Sequence, residues 1–430
     1  MDLEWNSTLR NVLLGSSLLG VTGGVVGTFA VLRRQSLLGD ALAHAALPGV
    51  CIAFLFTGAK SPWTLFAGAL VAGISGALFI LLIVRGSKVK EDSAIGIVLS
   101  VFFGVGIVLL TYIQRLPGGH QSGLNTYLFG QAATLLAGDI VIMAVIASVV
   151  LLFVFMFFKE FKLLAFDRDF GASLGFPMRR VEVLLTGLLV VVVVIGLQTV
   201  GVVLMVATLV TPAAAARQWT RGLGSMLIVS AFIGAVSGAF GAVASSVVER
   251  LPTGPTIVLV SSTVLALSLL LAPERGLLWS SLRAGRLQGR IRRENLLSDL
   301  FRFGERQNNL EAWVSRQELQ LARGQGHREL RSLLGQLERV GLLESSGPEW
   351  RLTPAGLRKA NSVVRKHRLW EVYLTRRLDL PSDHVHRDAE AMEHALTDEA
   401  VRELESLLGH PTLDPHGRPI PAASPTKDAL

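Results

Sequence analysis

Apolar runs long enough to cross a bilayer occupy residues 11–32, 37–58, 62–84, 93–114, 139–158, 222–247 and 254–272. A further apolar stretch, 181–216, is too long for one crossing at ~1.5 Å of rise per residue and short for two full ones. Arg179 and Arg180 precede it, and Arg217 and Arg221 follow it. The positive-inside rule puts both ends on one side, so the chain must turn back. Gly196 and Gly201 are the candidate breaks, and the expected arrangement is two short helices meeting at mid-membrane. The pattern predicts about nine crossings. The mildly apolar stretch 120–136 is a candidate short external helix.

Polar loops orient these spans. Arg33/Arg34, Arg85/Lys88/Lys90 and Lys159/Lys162/Arg168 fall on one side under strict alternation, while Lys60, Arg115 and Arg250 are scattered on the other. The expected topology is a multi-pass protein of the cell membrane with its N-terminus outside and everything after Ala272 cytoplasmic. Asp2 and Glu4 stand where a cleavable signal would carry Lys or Arg, so the first run is read as a retained span. Gly20, Gly23 and Gly24, and the small residues from Gly68 to Gly76, have the spacing that lets membrane helices approach closely.

After Arg275 the periodicity changes. Residues 294–305, 315–323 and 326–340 read as helices and 341–353 as a hairpin, the order of a winged helix. Its third helix, 327–339, carries Arg328, Arg331 and Arg339 but also Glu329 and Glu338, a weak surface for phosphates. A protein-interaction role is favoured over DNA binding.

Composition supports this division. Half the chain is apolar and the mean hydropathy is +0.50, yet 25 of its 41 Lys and Arg and 22 of its 33 Asp and Glu follow Ala272. The pI near 10 is a topology signal more than a nucleic-acid footprint, since the basic excess of the apolar part lies in short loops. Cys51 is the single cysteine, which excludes an internal disulfide and a thiolate cluster within one chain. No Gly-Lys pair occurs, so there is no phosphate loop and no ATP site of that type.

Two potential metal ligands share a span only in Ser36-Leu-Leu-Gly-Asp40-Ala-Leu-Ala-His44. Four residues apart, they lie on one helical face a turn from each other. Ionisable groups at membrane depth face a pathway or a partner. Carboxylate plus imidazole suits manganese, iron or zinc, and two such pairs from a dimer make a four-ligand site. The alternative is a helix-start Asp with a His bonded to a carbonyl. Seven of nine histidines fall in the tail. His367 and Glu371 form an i, i+4 pair, and His386, Glu390, Glu393 and His394 share a face of another helix. Without a thiol, that set suits manganese or ferrous iron; the alternative is a solvated face of ion pairs.

Residues 31–49, which hold Asp40 and His44, resemble the second-span signature of the zinc/manganese ABC-importer permeases. Segments 94–106, 196–217 and 251–259 are similar to the same family, and the resemblance covers 10–276. It implies an all-α polytopic permease in which Asp40 and His44 serve metal passage, ATP hydrolysis resides on a separate ATPase subunit, and no cofactor is needed for catalysis. An extracytoplasmic metal-binding protein would deliver the ion, because the external loops are too short to hold a capture domain. Segment 163–175 resembles the coupling helix on which such an ATPase docks. It holds Asp167 and Asp169, and puts Phe166, Phe170 and Leu174 at i, i+4 and i+8. Pairing of the permease with itself is the simpler expectation.

Segments 352–357, 364–371, 385–394 and 408–421 are similar to the iron/manganese-dependent transcriptional repressors, over 290–421. That implies metal ligands at His367, Glu371, His386, Glu390, Glu393 and His394, and dimerisation. Glu390 stands where manganese-responsive members have Glu and iron-responsive ones Cys. Asn295 stands where the family has a Met or Asp ligand, so one site is expected to be incomplete. The domains are then a permease over 1–276, a linker and winged helix over 277–355, and a helical metal-binding and dimerisation domain over 356–430. The leading reading is import of Mn2+, with Zn2+ and Fe2+ open, under a metal-sensing tail. A membrane-tethered metal-dependent DNA-binding regulator and a haem- or cobalamin-type chelate importer are the alternatives.

Overall fold

The computed structural model describes residues 7–58, 61–116, 124, 130, 135–247, 251–323, 327–378, 380–381, 392, 394 and 396–422. The chain divides into two compact units, Met1–Ser280 and Ser281–Leu430.

Among the described residues the elements of the first unit are all helices. Its elements are α1 (Ser7–Leu32), α2 (Leu38–Thr57), α3 (Pro62–Gly86), α4 (Glu91–Arg115), α5 (Ala137–Met156), α6 (Phe158–Phe166), α7 (Arg168–Ser173), α8 (Met178–Thr199), α9 (Val202–Trp219), α10 (Leu223–Val247) and α11 (Thr253–Leu271). Nine helices among the described residues are long and apolar enough to cross a membrane, as the hydrophobic runs predict. Their ends follow local rules. Gly58 closes α2 at φ +61°, Pro62 opens α3, and Glu91 and Asp92 sit in the first turn of α4. α1 ends differently: Gln35 N–H bonds the Ala30 carbonyl and Arg34 N–H that of Val31, with Arg34 itself left-handed at φ +61°. This is a Schellman turn built without glycine.

The stretch 181–216 is broken at Gly201 (φ +89°), between α8 and α9. Gly196 is not a break. It stays inside α8, where the Met205 side chain fills the space a Cβ would need. Nor are the helices short, because they take in the basic residues at either end. With 22 and 18 residues, α8 and α9 run roughly 33 and 27 Å, each enough to cross. Most of 120–136 lies outside the described residues.

Close backbone approach holds the unit together. A Cβ on Gly20 would fall on the Gly234 carbonyl, and one on Gly234 would fall on that of Gly20. A turn further along, Ser230 Oγ donates to the Gly24 carbonyl at 2.7 Å. Only glycine permits α1 and α10 to lie this close.

The second unit takes up α12 (Leu277–Arg306) from Ser281 onward, then β1 (Val314–Ser315), α13 (Arg316–Arg323), α14 (His327–Arg339), β2 (Leu343–Ser346), β3 (Glu349–Leu352), α15 (Pro354–Leu378) and α16 (Asp398–Leu407). The strands order β1-β3-β2, all antiparallel, with Val314 opposite Trp350 and Leu343 opposite Leu352. The winged-helix order stands, with one correction: its first helix begins at Leu277 rather than Glu294. No proline interrupts 277–306, and Gly285 and Gly289 are tolerated inside the helix. Leu330, Leu334 and Leu337 of α14 are buried, while Arg328, Arg331 and Arg339 are exposed. Buried Arg368 of α15 grips both oxygens of Glu305 at 2.9 and 2.6 Å, tying α12 to α15.

Candidate metal centres

In α2, Asp40 lies in the first turn and His44 one turn on. His44 Nε2 stands 3.4 Å from Asp40 Oδ1, long for a good hydrogen bond. Two ligand atoms each ~2.1 Å from one tetrahedral ion would be roughly 3.4 Å apart, so the pair has the bite of a chelate. Both side chains keep some exposure, 23 % for Asp40 and 12 % for His44. Phe103 of α4 meets the imidazole edge-on at 4.5 Å between centroids. The buried His44 Nδ1 has no hydrogen-bond partner among the described residues. Pro48, four residues on, has no N–H for the His44 carbonyl, which leaves an acceptor beside the pair. Among the described residues no carbonyl accepts from His44 Nδ1. Phe103 is a contact that the Asp-x-x-x-His spacing gave no hint of, since it comes from another span.

Segment 163–175, expected to be one helix that docks an ATPase, is shaped differently. Phe166 ends α6, and Asp167 caps a separate α7, its Oδ1 accepting the Phe170 N–H at 2.9 Å. One continuous helix over 163–175 is therefore corrected: Asp at an N-cap competes successfully with helix continuation. Phe166, Phe170 and Leu174 are all more than half exposed even so. Asp169 follows in the first turn of α7.

In the second unit His367 and Glu371 are paired on α15 at 3.1 Å, both side chains 2 % exposed. His394 bridges two residues of α12: Nδ1 lies 2.8 Å from Glu294 Oε2, and Nε2 lies 2.7 Å from Asn295 Oδ1. Asn295 thus lies against one of the candidate ligands, His394. Glu294, which sequence reasoning passed over, carries the charge there. Its signal was available, since it is the first acid after a run of five arginines, 283–293. Its other oxygen is held by Arg290 at 3.0 Å, with Lys359 at 3.4 Å. His386, Glu390 and Glu393 lie outside the described residues, and among the described residues no group of three or more His, Cys, Asp or Glu is placed to hold a metal. The buried imidazole–carboxylate pair at 367 and 371 has the donor chemistry of half such a site.

Burial would raise the Glu294 carboxyl, but hydrogen bonds from Arg290 and His394 and the charges of Lys359 and Arg290 hold it below its ordinary 4.5. The Arg365 hydrogen bond likewise holds Glu405 of α16 below 4.5. Depressed carboxylates contribute stability that is present above the unfolded-state value and lost as pH falls through the folded one. Hydrogen exchange of α12, α15 and α16 in the full chain is expected to show this unit loosening first as pH drops below about 4.5. Protection unchanged down to full protonation would contradict it.

Comparison with known proteins agrees with this anatomy. Residues 6–272 match the model of the ABC 3 transport family, and residues 353–422 that of the iron dependent repressor, metal binding and dimerisation domain. The manganese transport system membrane protein MntC of Bacillus subtilis is 47 % identical over 370 residues, covering 86 % of this chain and 84 % of that one. The zinc transport system membrane protein TroC of Treponema pallidum is 49 % identical over 287 residues, covering 67 % of this chain and 96 % of that one. The solved structure of PsaBC from Streptococcus pneumoniae in complex with Fab superposes with a TM-score of 0.57 at 33 % identity, over 64 % of this chain and 95 % of that one. The chain belongs to the ABC 3 transport family, and joins to that permease region a C-terminal metal binding and dimerisation domain of the iron dependent repressor type.

Proposed function

We propose that the chain is the membrane subunit of an ATP-driven importer for manganese, with zinc as the nearest alternative cargo. The observation that carries this reading is the Asp40–His44 pair, set at chelating distance on α2 within the family-matched region. One carboxylate and one imidazole leave an ion short of ligands, so a second copy of the chain supplies an equivalent pair across the path. The oxygen-and-nitrogen donor set, free of thiolate, accepts manganese, iron or zinc, and a relative named for manganese transport that covers 86 % of the chain favours manganese.

The exposed Phe166, Phe170 and Leu174, with Asp167 and Asp169 between them, seat in a groove of a separate ATPase. An external binding protein hands over the ion. The N-terminus lies outside and the second unit in the cytoplasm, consistent with the basic loops. There His367, Glu371, His386, Glu390, Glu393 and His394 hold cytoplasmic metal, and the unit pairs with its copy and restrains uptake when metal is plentiful. The domain limits are 1–276, 277–355 and 356–430.

Uptake of radiolabelled manganese and zinc into cells expressing the chain with its ATPase tests the import reading. Manganese entering faster than zinc at equal concentration supports it, and zinc entering faster would reassign the cargo. For the tail, Glu371→Gln in the purified full chain is expected to weaken manganese binding to the second unit by about 10-fold or more, read by calorimetry. Unchanged affinity and stoichiometry would remove Glu371 from the ligand set.

A further inference from the structure

Glu182 is the lone acid of the apolar stretch 181–216, and it is buried in α8. Its carboxylate is shared. Oε1 meets Arg33 Nη2 at 2.6 Å, and Oε2 meets Arg168 Nη2 at 2.9 Å. Arg33 is the first residue past α1, in the short turn that leads into α2 and lies seven residues before Asp40. Arg168 is the first residue of α7, between Asp167 and Asp169 in the exposed docking segment. One carboxylate therefore joins the segment offered to the ATPase to the turn that opens the metal-bearing helix.

One further contact and a backbone conformation hold the turn. Gln35 donates to Glu91 at the start of α4, and Arg34 is fixed in the left-handed region that closes α1. Phe161 of α6 is fully buried and packs edge-on against Phe29 of α1 at 5.5 Å. The docking segment is thus anchored on α1 by its apolar side and on Glu182 by its charge. If stability alone were at stake, burying the Glu182 carboxylate with the Arg33 guanidinium would be a poor choice over hydrophobic residues.

We infer that Glu182 is a positioning residue that couples the ATPase to the metal path: movement of the docking segment is passed through Arg168, Glu182 and Arg33 to the start of α2. This rests on the importer reading given above. The two arms act in series, so breaking either disconnects the two ends, and breaking both adds little more.

The test uses the full chain with its ATPase in vesicles and reads manganese moved per ATP hydrolysed. Arg168 is nearly half exposed, so Arg168→Gln removes its arm with the fold kept. Arg168→Gln and Arg33→Gln are each expected to lower the ratio about 10-fold or more, and the double variant is expected to match the worse single one. Glu182→Gln should reproduce that loss and Glu182→Asp should recover part of it. A wild-type ratio in Arg168→Gln, or losses that multiply in the double variant, would overturn the clamp while leaving the importer reading intact. A wild-type complex that moves no metal would overturn the importer reading itself.

Discussion

Replacing Asp40 by Asn is expected to cut manganese uptake by about 100-fold or more, with His44→Ala at least as severe. That range is the upper end of what the loss of a supporting contact costs a metal site, and in the proposed site these side chains are the ligands themselves. Asn keeps the size of Asp and the start of α2, so the change is confined to charge and donor strength. His44→Ala removes the only nitrogen donor of the pair and leaves Phe103 facing a gap. The assay needs the amount of protein in the membrane and ATP hydrolysis by the complex measured alongside. Uptake within about twofold of wild type in both variants would mean that the pair merely opens a helix, and the path lies elsewhere.

The second large effect concerns packing. Gly234→Val is expected to abolish recovery of monodisperse protein from the membrane, and Gly20→Val to do the same. Each added Cβ would fall on the opposite backbone, where no side chain can swing aside, so α1 and α10 must separate along their whole contact. A control is at hand in Gly187 of α8, where a Cβ meets nothing within 4 Å. Gly187→Ala should change thermal stability by no more than about 1 kcal/mol, and in the favourable direction. Normal yield and melting of Gly234→Val would show that the two helices are not held backbone to backbone.

These two cases mark what could be read in advance. Asp40 and His44 were legible because helical periodicity alone puts residues four apart on one face, and because ionisable groups stand out among apolar ones. The glycine pairing was legible only as a spacing. Which glycine meets which carbonyl depends on the angle and depth at which two distant helices cross, and no local rule supplies that. The single-helix reading of 163–175 failed for a local reason: an i, i+4, i+8 reading of Phe166, Phe170 and Leu174 ignored the preference of Asp167 for capping. Similarly, counting 181–216 as apolar length ignored basic residues that a helix readily includes at its ends.

Hydrophobic periodicity and the placement of arginines thus determined the class of this protein: about nine membrane-spanning helices followed by a charged winged-helix and helical tail. They did so because the bilayer demands long apolar helices whatever the tertiary packing. Resemblance in local motifs located Asp40, His44, His367 and Glu371. Tertiary structure alone decided that Glu182 would gather Arg33 and Arg168, that Phe103 would face His44, and that Glu294 with Asn295 would take His394. Such contacts join residues up to 149 positions apart, and partners at that separation are chosen by helix packing, to which sequence spacing is blind.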